Sequence, residues 1–177
     1  MLNYNIIDNF LPEEEFKKLS DFIVFNNKFP LTIDDGVGYG PNNKDYNEKL
    51  EKDFRNWYAV HISYINDVPI SNSYDVIAPI LSPAFNKLEI KSLLKIKTNF
   101  YPYTHKVFEH SPHIDYKFRC GAAVLSLNTC DGFTRLSDGT KIDSIANRVV
   151  LFEGNTLHNS STTSNAKGRW NINFNFL

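Results

Sequence analysis

Arg169-Trp170-Asn171-Ile172-Asn173-Phe174-Asn175-Phe176 is the stretch whose reading decides the fold. Side chains along an extended strand point alternately to opposite faces. Trp170, Ile172, Phe174 and Phe176 therefore make one apolar face, and Arg169, Asn171, Asn173 and Asn175 make a second, unusually polar one. On a solvent-exposed surface the polar set implies nothing. Facing a barrel interior, it makes Arg169 a desolvated cation that needs an anion, and a guanidinium fork matches a carboxylate through two parallel hydrogen bonds.

The chain before this tail reads mostly as short strands and turns from Glu89 onward. Strands are expected at 92–101, 118–127 and 147–152, with turns at Thr129-Cys130-Asp131-Gly132 and Ser137-Asp138-Gly139-Thr140 on either side of Phe133-Thr134-Arg135-Leu136. Earlier strands are expected at 4–8 and 57–64. Between them Leu11-Pro12 opens a helix, with Glu13, Glu14 and Glu15 suited to its positive end and Phe16, Leu19, Phe22 and Ile23 on one buried face. Residues 29–46 hold turn-formers with little periodicity and read as a long loop. Residues 49–54 suit a short helical turn. Residues 73–88 have helical content, but Pro79 and Pro83 are expected to break or kink it. The fold class is mainly β with N-terminal helices, a sandwich or barrel. One domain over 1–177 is the economical reading, with 1–90 as helical support and loop and 91–177 as the β core.

Composition narrows the function. The 177 residues carry a formal net charge of -1, with no long run of one sign, which argues against a dedicated nucleic-acid binder. The 14 Phe and 9 Tyr suit sheets. Cys120 and Cys130 have neither zinc-finger spacing nor the density of a disulfide scaffold and read as core residues in a reducing compartment. The N-terminus lacks the build of a signal peptide, and no apolar run approaches a membrane span, so the expectation is a soluble, cytoplasmic protein with no membrane partner.

The chemistry lies in a constellation. His113 and Asp115 share a face if their segment is extended, and His158 can reach them from a distant strand. Two imidazoles and a carboxylate fill three positions of an octahedral metal and leave others open, the facial set of non-haem Fe(II) oxygenases. His-x-Asp alone is weak. The order Asn99-x-Tyr101, His113-x-Asp115, His158, then Arg169 on a strand is more specific. His61 has no acidic neighbour two residues away, and His105 and His110 lack the Asp that follows His113.

On these residues the segment 97–177 resembles the catalytic half of the 2-oxoglutarate- and Fe(II)-dependent dioxygenases, nearest to small prolyl-4-hydroxylase-like members of bacterial and phage type. The opening Asp8-Asn9-Phe10-Leu11-Pro12 and the approach Asn147-Arg148-Val149-Val150-Leu151-Phe152 resemble the same family, and residues 30–70 are the least matched. The resemblance implies a double-stranded β-helix, a jelly-roll or cupin-like core. It implies Fe(II) on His113, Asp115 and His158, with 2-oxoglutarate and O2 as cosubstrates and Arg169 on the distal carboxylate of 2-oxoglutarate. A second likeness is with the AlkB-like branch, where Asn-x-Tyr and Arg-x-Asn motifs help hold the cosubstrate. These fall here on Asn99, Tyr101, Arg169 and Asn171. That branch's further arginine, six residues past the first, is replaced by Asn175, which argues against nucleobase repair.

The implied reaction couples decarboxylation of 2-oxoglutarate to succinate with hydroxylation of a second substrate, peptide or small molecule, for which peptidyl proline, a free amino acid, a small metabolite and a modified nucleobase all remain open. Substrate contacts are expected from 29–46 and 103–111. The competing readings are a hydrolytic or isomerising Zn or Mn site on a cupin-like barrel, and a non-catalytic jelly-roll binding or structural protein.

Overall fold

The computed structural model describes residues 3–37 and 55–177. The proposed turn at 49–54 lies outside them, as does the end of the 29–46 loop. Among the described residues, eight strands form one large antiparallel sheet. Its path runs β1 (Tyr4–Ile7), β9 (Val149–Glu153), β6 (Gly121–Ser126), β11 (Gly168–Phe176), β5 (Leu93–Pro102), β3 (Trp57–Ile65) and β2 (Thr32–Asp35), with β4 (Val68–Pro69) paired to β3. A smaller sheet of β10 (His158–Ser160), β7 (Phe133–Leu136) and β8 (Lys141–Asp143) faces it. This is the mainly β, double-stranded β-helix architecture expected from the sequence. The first ninety residues supply both of the described helices, α1 (Glu13–Ile23) and α2 (Tyr74–Lys87), and also strands β1 to β4 of the large sheet.

Alternation explains how the layers stack. Ile172 and Phe174 of β11, Ile96 of β5, Ala123 and Leu125 of β6 and Val149 of β9 point outward, where Leu19 and Ile23 of α1 and Ile77 and Leu81 of α2 cover them. Truncating one of these fully buried leucines to alanine would cost about 2–5 kcal/mol. No described helix is long and apolar enough to cross a membrane.

Two sequence expectations are corrected. Helix α2 runs through both prolines without interruption. Pro79 and Pro83 are four apart and both exposed. The carbonyls they leave without an amide partner lie on the outer side, where water can serve them, while Ile77, Ile80, Leu81 and Ala84 anchor the buried side. Within the 29–46 loop, residues 32–35 form β2, held in register by pairing with 57–60 of β3. Its side chains are exposed, so the apolar alternation that marks a strand is missing from the sequence.

The space between the sheets is divided. On the β6–β9 side it is filled by Ala122, Val124, Leu136, Ile142, Val150 and Phe152. On the β11–β5–β3 side the facing residues are polar, and there the sheets enclose a cavity of about 200 Å³.

Candidate metal and cosubstrate site

The polar face of β11 is internal. Arg169 and Asn171 are 1% and 2% exposed, and Asn175 is fully buried. The β5–β11 register sets Tyr101 opposite Arg169, Asn99 opposite Asn171, Lys97 opposite Asn173 and Lys95 opposite Asn175. The site is thus a ladder of rows, with Arg169 at one end and Asn175 at the other.

At the Asn175 end His113, Asp115 and His158 converge, with one donor atom from each lying within 4.8 Å of the others. The main chain joins the two histidines: the His113 amide donates to the His158 carbonyl at 2.8 Å, and the His158 amide donates back at 2.9 Å. This isolated antiparallel bridge, rather than a longer strand at 113–115, holds the imidazoles with centroids 4.5 Å apart. Asp115 is fixed through its own amide, which donates to the Gly154 carbonyl at 2.9 Å.

Protonation suits metal binding. His158 Nδ1 lies 2.8 Å from the Thr156 carbonyl, which only accepts, so Nδ1 carries the proton and Nε2 keeps its lone pair. Burial lowers the pKa of His158 and pushes His113 down to about 3, the latter with help from His158, so both imidazoles stay neutral at pH 7. Burial raises the Asp115 pKa, but Lys95, His158 and a hydrogen bond from Asn175 outweigh it and hold the carboxyl down at about 2. Asn175 Nδ2 donates to Asp115 Oδ2 at 2.9 Å, and Lys95 Nζ lies 3.7 Å from Oδ1. Two neutral imidazoles and an ionised carboxylate fit a divalent first-row metal.

At the other end Arg169 Nη2 donates to Thr134 Oγ1 at 2.8 Å and Nη1 reaches the Ser161 carbonyl at 3.5 Å, while Nε has no partner. Its guanidinium lies 5.4 Å from the centre of the Tyr101 ring. Among the described residues no carboxylate lies within ion-pair distance of it. Burial lowers its pKa. An unpaired buried guanidinium costs several kcal/mol, of the order that a carboxylate ligand would offset.

Of the residues singled out in the sequence, His113, Asp115, His158, Tyr101 and Asn171 line the cavity. Arg169 stands beside it through Thr134 and Tyr101. Asn99 lies one layer back: its Nδ2 donates to Asn171 Oδ1 at 2.8 Å, so it orients Asn171 rather than lining the space. His61 is elsewhere, bonded through Nε2 to Ser71 and Ser73. His110 is buried against Ser160, and His105 is exposed. From 29–46, Asp34, Gly36 and Val37 line the cavity, but no residue of 103–111 does. The sequence reading passed over Lys95, Lys97, Tyr58, Thr134 and the Asn175–Asp115 contact. Lys95 and Lys97 share strand parity with Asn99 and Tyr101, a signal that was present in the sequence.

No family model matches the chain, and no curated protein matches it in sequence. Solved structures do match in shape. A prolyl hydroxylase from Trichoplax adhaerens, in complex with a hypoxia inducible factor oxygen degradation domain peptide fragment, is 17% identical with a TM-score of 0.65, over 100% of this chain and 84% of that one. An oxidoreductase of the 2OG-Fe(II) oxygenase family from Burkholderia pseudomallei is 10% identical with a TM-score of 0.66, over 98% and 84%. The non-haem α-ketoglutarate-dependent epimerase SnoN, from nogalamycin biosynthesis, is 13% identical with a TM-score of 0.64, over 99% and 78%. At these identities the likeness establishes a shared fold, one used by 2-oxoglutarate-dependent iron enzymes of differing reaction and substrate.

Proposed function

We propose that this protein is a non-haem Fe(II) oxygenase that couples oxidative decarboxylation of 2-oxoglutarate to hydroxylation of a second substrate. One observation carries the reading. A single cavity has a three-donor metal set at one end, and against its other end, behind Thr134 and Tyr101, stands a buried arginine without a carboxylate partner among the described residues. A hydrolytic metal site has no use for that arginine.

His113, Asp115 and His158 would hold the iron, and Arg169 the distal carboxylate of 2-oxoglutarate, with Tyr101 beside it. Iron and the keto acid supply the oxidising chemistry; the chain supplies placement. Asn175 and Lys95 keep Asp115 ionised and oriented, and the Thr156 carbonyl fixes the His158 tautomer. Asn99 holds Asn171 toward the cavity. The apolar block between β6, β9 and the small sheet excludes water from that side.

Anaerobic addition of Fe(II) and 2-oxoglutarate should produce a weak visible charge-transfer band, and air should then release succinate. Folded protein that binds Fe(II) but gives neither band nor succinate would refute the reading.

A further inference from the structure

Among the described residues three cations stand at the cavity, and two are accounted for. Lys95 lies against Asp115, and under the proposed function Arg169 takes the distal carboxylate of 2-oxoglutarate. Lys97 is left over. It lines the cavity from the middle row of the β5 face, half-buried, with its Nζ 5.3 Å from the centre of the Tyr58 ring. It makes no hydrogen bond and no ion pair to any described residue. Asp34, a carboxylate on the same cavity wall, accepts from the Tyr58 hydroxyl at 3.2 Å instead. Lys97 is four residues from Tyr101 along the strand, about 13 Å, so a carboxylate held by Arg169 does not reach it. The ligands assigned to the site do not answer this charge either. The two carboxylates of 2-oxoglutarate balance the two charges of the metal, and with Asp115 and Asp34 against Lys95, Lys97 and Arg169 one cation remains in excess.

A cation that is half-buried, held beside an aromatic face and left without an anion among the described residues is costly in the free protein. Its position also matters. Asp34, Gly36, Val37 and Tyr58 form the cavity wall on the β2–β3 side, so Lys97 stands between that wall and the metal set. We propose that the second substrate is a small carboxylic acid whose carboxylate is received by Lys97. This rests on the oxygenase reading and deepens it. Asp34 lies on the same wall, so an acid that also carries an ammonium group, a free amino acid, would meet both charges. An acid without an amine would meet Lys97 alone.

The test is calorimetric titration of anaerobic protein loaded with Fe(II) and 2-oxoglutarate. The ligands are a panel of free L-amino acids, hydroxy acids and dicarboxylic acids, each beside its primary amide. At least one acid should bind ten-fold or more tightly than its amide. Lys97→Met should erase that difference while changing 2-oxoglutarate affinity less than three-fold, and its Tm without ligands should equal or exceed that of the native protein. Preference for amino acids over their deaminated counterparts would assign Asp34 the ammonium; equal binding would leave the proposal standing on Lys97 alone.

The proposal is overturned if amides bind as well as acids, or if only acidic peptides bind. It also falls if Lys97→Met weakens 2-oxoglutarate as much as a substitution of Arg169 does, since Lys97 would then serve the cosubstrate. A Tm drop of more than 5 °C in Lys97→Met would make the lysine structural. Failure of native protein to bind 2-oxoglutarate at all removes the parent reading, and this one with it.

Discussion

Replacing Arg169 by methionine separates a binding residue from a structural one. The guanidinium is 1% exposed, with one good hydrogen bond to Thr134, a long one to Ser161 and an unpartnered Nε. Burying an ion without a counter-ion costs several kcal/mol. Each hydrogen bond from a charged donor returns about 1.5–3 kcal/mol, and the one at 3.5 Å returns little. The balance in the free protein is near zero or unfavourable. Methionine fills similar volume without the charge, so ligand-free Arg169→Met should be as stable as native protein or more so, by up to about 3 kcal/mol. In a chain of this size that is a Tm rise of up to about 10 °C. Binding moves the other way. Loss of a buried charge pair with the cosubstrate should cost about 2–5 kcal/mol, roughly a 30- to 4,000-fold weakening. The assay is thermal denaturation of anaerobic Fe(II) protein with and without 2-oxoglutarate. Ligand at a hundred times its Kd stabilises native protein by about 2.7 kcal/mol, and that shift should fall to about 0.9 kcal/mol or less in the variant. A variant that melts well below native protein without ligand, yet keeps the full 2-oxoglutarate shift, would refute the assignment.

Other perturbations probe separate parts of the site. Asn175→Ala removes the donor to Asp115 and should weaken Fe(II) about 10- to 100-fold while leaving the fold intact, as read by metal titration and circular dichroism. Gly132→Ala would place a methyl 2.7 Å from both Arg169 Cδ and the Thr162 carbonyl, so it should impair 2-oxoglutarate binding more than Fe(II) binding; equal loss of both would contradict this. Metal-free protein should lose stability on acidification. Burial pushes His110 and His113 down to about 3, below their unfolded values near 6.5, so the unfolded chain binds more protons between these limits. Stability should therefore fall with pH below about 6.5, by up to roughly 1.4 kcal/mol per pH unit for each histidine, and a flat urea midpoint from pH 6.5 to 4.5 would contradict the buried neutral state.

Much of this was legible in the chain because strands carry a period of two. The alternation of 169–176 specified a two-sided strand, and burial of both faces fits Arg169 and the asparagines lying inside. What escaped has physical causes. The edge strand β2 is solvated on its side chains and is specified by its partner β3. Helix α2 survives two prolines because both fall on the solvent side, a matter of phase that counting prolines does not capture. Asn175 was noticed only as a missing arginine, whereas its contact with Asp115 depends on a chain reversal sixty residues long. Lys97 shares the parity of Asn99 and Tyr101 but belongs to no motif, and its lack of an ion-pair partner among the described residues is a tertiary fact that strand parity does not carry.

The β5–β11 register has a consequence for how the protein tolerates change in length. A one-residue deletion inside β11 would exchange its faces, sending Trp170, Ile172 and Phe174 into the cavity and the arginine and asparagines under the helices. A two-residue deletion would keep the faces but carry the arginine one full row, about 6.6 Å, toward the metal set. Neither leaves a partly working intermediate. Insertions and deletions that preserve this site are therefore confined to the turns, and side-chain replacement is the route by which β5 and β11 can diverge.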